Sequence, residues 1–152
     1  MSALPALIDR LQAATEGSRE LDCHIAYAVD FQTEGTGRTW RQLVDDIGFE
    51  YAAESVTRFN SFWRQAVPHY TTSIDASLSL VPEGWGWCVG DIHPPTEMYL
   101  ESGLPWAEIW RRGLTHSRIP GMLWDGIGRN GINAATPALA LCIAALRARG
   151  SV

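Results

Sequence analysis

The chain has 152 residues, of which 46% are hydrophobic and 19% charged, and its mean hydropathy is −0.07. These values are typical of one globular domain and exclude a disordered chain. The formal net charge of −5 disfavours a nucleic-acid backbone as the main partner, because phosphate binding depends on clustered Lys and Arg and this chain contains no lysine. Three arginines are interpreted as solvated surface charge: Arg111, Arg112 and Arg118.

The first third of the chain is predicted to form three helices. Leucine and isoleucine residues at positions i, i+3, i+4 and i+7 line one face of a helix over residues 4–14. Ser18 is placed to cap a second helix over residues 19–29. Thr39 and Gln42 have the spacing of a capping box, which predicts a third helix directly after the threonine.

The middle of the chain gives weaker signals. Residues 49–67 contain aromatic side chains that fit no single period, and we interpret this segment as mixed, with a helix favoured over a loop. The hydroxyl side chains at the start of residues 72–75 predict the cap of a short amphipathic helix, which Pro82 ends because proline cannot continue it. Residues 85–89 alternate large and small side chains, and this pattern predicts a strand with one buried face.

Two further strands are predicted at residues 97–100 and 107–111, and the turn residues around them favour an antiparallel three-stranded meander. Residues 113–135 contain five glycines and no sustained period, which predicts a long ordered loop. The last helix has the clearest signal, with Thr136 as its cap and Pro137 at its first position. Together these elements predict a small α+β domain.

Several stretches of the sequence resemble the phage ABA sandwich domain family: residues 18–22 (SRELD), 70–78 (YTTSIDASL), 80–85 (LVPEGW) and 135–146 (ATPALALCIAAL). The resemblance implies a sheet packed between helical layers, an α/β/α sandwich, in a single domain over residues 1–152. It also implies an origin in phage or prophage genomes, among proteins that mostly have no assigned function. Residues 31–67 and 112–133 are longer than expected of the shortest members, and we interpret them as elaborations.

The sequence favours a cytoplasmic location. Its longest apolar run, residues 134–146, is shorter than the roughly 20 residues that cross a bilayer. Asp9 and Arg10 interrupt the amino terminus before a signal-peptide core can form. The odd number and wide spacing of the cysteines indicate free buried thiols in a reducing compartment: Cys23, Cys88 and Cys142. We therefore expect no membrane span and, from the resemblance, a location in the bacterial host cell.

We predict no metal site, no cofactor and no catalytic residue. The four histidines lack the i, i+4 spacing that places two imidazoles on one helix face for zinc. Cys23 and His24 are sequence neighbours, so on a helix they point about 100° apart and do not face each other. The glycines of residues 126–131 match a dinucleotide-binding fingerprint, but no predicted strand precedes them and no helix begins at the last glycine.

A candidate partner surface lies in the glycine-rich region. Trp124 is the tryptophan that is least easily buried, and it is flanked by Met122, Leu123 and Asp125, with Arg129 a few residues further on. Aromatic residues and arginine are the usual anchors of protein interfaces, which makes this segment a candidate for binding a protein partner. The alternative is a loop that folds its apolar residues back onto the core.

The leading hypothesis is a non-enzymatic phage or prophage accessory protein that binds a host or phage protein, in one version an inhibitor of a bacterial defence system. It depends on the resemblance, the acidic balance and the lack of a catalytic pattern. A second hypothesis is a small enzyme or ligand-binding domain with a site near Asp91 and His93, which alternate along an extended segment. A third is a structural or assembly component of the virion. The sequence leaves the oligomeric state open.

Overall fold

The computed structural model describes residues 3–33, 37–58, 67–90, 104–111 and 126–150. Within them the helices are α1 (Ala3–Ala13), α2 (Arg19–Ala28), α3 (Trp40–Ile47), α4 (Phe49–Arg58), α5 (Ile74–Leu78) and α6 (Pro137–Gly150). The strands are β1 (Trp85–Gly90), β2 (Trp106–Arg111) and β3 (Gly126–Asn133). The predicted small α+β fold with a three-stranded antiparallel sheet is confirmed. None of the described helices is long and apolar enough to cross a membrane.

Side-chain caps begin the helices where the sequence predicts them. The Ser18 hydroxyl accepts a hydrogen bond from the Leu21 amide at the start of α2, and Ser73 does the same for the Ala76 amide in α5. Thr39 and Gln42 form both halves of the capping box in front of α3. Each cap satisfies a backbone N–H that has no partner inside the first helical turn, so these short patterns fix the helix starts locally.

The sheet has the strand order β1-β2-β3, and both neighbouring pairs are antiparallel. β1 and β2 pair in an unbroken register that runs from Trp85 opposite Arg111 to Gly90 opposite Trp106. β3 pairs with β2 through a register shift between Ala107 and Ile109. The first strand forms where alternation predicts it, at 85–89, and the second forms at the further strand predicted at 107–111.

The prediction of a loop over residues 113–135 is wrong for residues 126–133, which form β3. Glycines and polar residues give this segment no alternating pattern, and it becomes a strand because its backbone pairs with β2. A dinucleotide-binding fingerprint must form the turn between a strand and a helix. Residues 126–131 do not fit this requirement, since they are themselves part of a strand. The strand predicted at 97–100 and residues 113–125 of the predicted loop lie outside the described residues.

Helix α6 forms the centre of the described core. It contacts α1 and α5 and also all three strands, and residues 138–146 are buried without interruption. A helix that is apolar all round is typical of a central element, because each of its faces meets another element. The predicted core face of Leu139, Cys142, Ile143 and Leu146 is therefore correct but too narrow. The placement of the sheet between two helical layers remains a prediction.

A buried polar network joins the start of α2 to the chain before α5. The fully buried Asp22 carboxylate accepts hydrogen bonds from the Thr71 amide and hydroxyl, each at 2.8 Å, and from the Arg19 guanidinium at 2.9 Å. Arg19 also donates to the carbonyl oxygens of Val67 and Pro68. The network fixes the position of α2, whose other face carries the candidate site.

Candidate functional site

An open groove of about 610 Å³ lies between α2 and α4, and we call it the acidic groove. Among the described residues, six line it: Glu20, His24, Phe49, Glu50, Ala53 and Glu54. Glu20 and His24 are four residues apart on α2 and therefore share one face of that helix. The four residues from α4 fall at positions i, i+1, i+4 and i+5, which also form a single face.

The turn from α3 into α4 positions the second wall of the groove. Gly48 joins the two helices with a φ of 86°, a conformation that glycine adopts without the steric cost of a Cβ atom. Its amide donates to the Val44 carbonyl of α3, and its own carbonyl accepts from the Ala52 amide of α4. Because α3 and α4 both contact α2, this corner sets Phe49 and the α4 glutamates beside His24.

An aromatic stack lies at the contact between the two walls. The rings of His24 and Phe49 have centroids 4.0 Å apart and planes inclined by 20°. Stacking of this kind adds to the free energy gained by burying the ring surfaces. It also holds the imidazole in one orientation, with Nε2 3.7 Å from the nearer carboxylate oxygen of Glu20.

The electrostatics of the groove are dominated by carboxylates. Glu20 forms a 2.8 Å ion pair with Arg10 of α1. Partial burial is the main cause that lowers the pKa of His24 below its ordinary value; Arg10 lowers it further, and Glu20 acts in the opposite direction. His24 is therefore neutral at pH 7, and Glu50 and Glu54 add two more negative charges across from it.

Two exposed apolar side chains lie at the same corner of the molecule. The exposed fraction is 42% for Ile47, the last residue of α3, and 65% for Tyr51 in the first turns of α4. They are four residues apart on either side of the turn at Gly48, and Tyr51 directly follows Glu50 in the sequence. Exposed tyrosine beside charged residues is typical of protein-binding surfaces, because its ring offers contact area and its hydroxyl a hydrogen bond.

The residues predicted as functional from the sequence have side chains that the structure does not describe. Met122, Leu123, Trp124 and Asp125 lie outside the described residues, and Arg129 lies in β3 with its side chain not described. The residues of the alternative site, Asp91 and His93, also lie outside the described ranges. Both of these sites remain predictions.

The sequence predicts each wall of the groove separately, but it does not predict that the two walls face each other. Glu20 with His24, and Glu50 with Glu54, are pairs at i, i+4, a spacing that predicts a shared helix face. Nothing local in the sequence says that the two faces meet. Their meeting depends on the contacts of α2 with α3 and α4.

The buried thiols offer little reactivity. Burial raises the pKa of Cys23 to about 12 and also raises the pKa of Cys142, so both thiols stay protonated at neutral pH. Cys23 is fully buried while His24 lines the groove, so the two neighbours point to different environments. Cys88 is half-buried, and the prediction that all three cysteines are buried is therefore wrong for this one.

Other polar clusters in the described residues are explained by hydrogen bonding within the fold. His69 lies with Nδ1 4.0 Å from the Asp22 carboxylate, whose oxygens are already bonded to Arg19 and Thr71. Ser73 caps α5. Among the residues that the structure describes, no group of three or more His, Cys, Asp and Glu side chains has a geometry that could hold a metal ion.

Comparisons of this chain with protein-family models, with curated proteins and with solved structures find no match. Membership of the phage ABA sandwich domain family therefore remains a prediction. The acidic groove differs from the two sites predicted from the sequence in that it is lined by residues that the structure describes.

Proposed function

We propose that this protein is a non-enzymatic accessory protein of a phage or prophage that binds a host or phage protein through a basic segment of that partner. The acidic groove is the single observation that supports this chemistry. The resemblance to the phage ABA sandwich domain family supports the biological setting. Inhibition of a bacterial defence system is the specific version in which the partner's basic surface is one that otherwise binds nucleic acid.

The charge distribution in the groove favours a cation as the bound group. Glu20 is paired with Arg10, and Glu50 and Glu54 lie on the opposite wall, where Glu54 already takes part in an interaction within the fold. A guanidinium or ammonium group of a partner would be attracted by the carboxylates on both walls.

Apolar contacts at the same corner would add to this attraction. A basic side chain carries an aliphatic stem that can pack on Ala53 and on the edge of the His24–Phe49 stack. Tyr51 and Ile47 lie next to the groove and offer exposed apolar surface to the residues that flank the basic one. Exposed ion pairs are each worth about 0.2 to 1 kcal/mol, so this apolar contribution is needed for a specific complex.

The test uses a fluorescent hexa-arginine peptide as the probe. We expect Glu50→Gln with Glu54→Gln to weaken its binding about fivefold, since two exposed ion pairs of about 0.5 kcal/mol each are lost. Binding is measured by fluorescence anisotropy at 50 mM and 150 mM salt. Added salt should weaken the complex, because exposed charges are screened.

The matched control removes two negative charges elsewhere, with Asp9→Asn and Glu83→Gln, both of which are exposed. Equal loss of binding in the two double variants would mean that the peptide responds to net charge alone, and the groove proposal would then be wrong. A pull-down from a bacterial host extends the test to a natural partner, which should be retained by the control variant and lost by the groove variant. The gene neighbourhood tests the phage setting independently.

A further inference from the structure

We draw no further inference here: the strongest candidate, the apolar surface of strand β1 around the exposed side chain of Trp87, carries nothing because nothing in the described part of the structure shows what covers it.

Discussion

Two carboxylates on α2 lie only two residues apart, but one is buried and the other is exposed. Asp22 is fully buried, and its oxygens are bonded to Thr71 and Arg19. Glu20 keeps 64% of its side chain exposed and contributes to the acidic groove. One short helix thus contributes to both the fold and the candidate site: the buried carboxylate of Asp22 fixes the position of the helix, and the exposed carboxylate of Glu20 pairs with Arg10 and lines the acidic groove.

The largest expected effect is on the free energy of unfolding when the buried carboxylate of Asp22 is removed. Replacing Asp22 with alanine removes the acceptor of the buried Thr71 amide and the carboxylate that neutralises the Arg19 guanidinium, and we expect a loss of about 3 kcal/mol in the free energy of unfolding. Glu20→Gln should change it by less than about 0.5 kcal/mol. Urea unfolding followed by circular dichroism measures both. Equal losses would show that the two carboxylates do not differ in role.

A second prediction tests the close approach of α2 to the segment that contains Thr71. A Cβ atom at Gly17 would lie 2.4 Å from the Thr71 carbonyl oxygen, which is backbone and cannot move aside as a side chain can. Gly17→Ala should therefore cost about 2 kcal/mol of unfolding free energy, in the range of other overpacking changes. Thr15→Ala in the same connection is the control, since Thr15 is exposed. A neutral Gly17→Ala would show that the two segments are not held this closely.

The smallest expected effect is on the pH dependence of stability, which has opposite signs for the buried Cys23 and for His24 in the groove. Burial raises the pKa of Cys23 to about 12, so the unfolded chain loses this proton before the folded chain does. The stability from this group is therefore complete below pH 9 and falls as the pH rises, by about 1 kcal/mol between pH 9 and pH 10. The lowered pKa of His24 acts in the opposite direction, with stability lost as the pH falls below about 6.5.

Unfolding in urea at pH 8, 9 and 10 measures the alkaline effect. Cys23→Ala should lower stability at every pH because it leaves a small cavity, but its stability should fall less steeply above pH 9 than that of the natural protein. Cys88→Ala is the matched control, because Cys88 is only half-buried. If the free energy of unfolding fell equally steeply with pH in the natural protein and in Cys23→Ala, the alkaline effect would not come from Cys23.

The elements that the sequence predicts are those whose signals lie within a few residues. Caps at Ser18, Thr39 and Ser73 begin helices where expected, and Thr136 accepts from the Leu139 amide at the start of α6. The alternation at residues 85–89 predicts β1 correctly. These features depend on hydrogen bonds and side-chain periods that the local sequence already contains.

The elements that the sequence misses depend on distant contacts. Residues 126–133 have no strand pattern, and their strand conformation is tied to pairing with β2. The acidic groove likewise requires two helix faces from different parts of the chain, at Glu20 and Glu50. The predicted partner surface at 122–125 and the alternative at Asp91 and His93 lie outside the described residues, so both stay predictions.

The sequence by itself determined the α+β class, the capped starts of α2, α3, α5 and α6 and two of the three strands, because capping and side-chain periods act over a few neighbouring residues. Only the tertiary structure decided that α6 is buried all round, that Asp22 is satisfied by Thr71 and that His24 stacks on Phe49 within the acidic groove. The contacts of Asp22 with Thr71 and of His24 with Phe49 join residues that are 25 or more positions apart, and all three features depend on how whole elements pack rather than on any local preference.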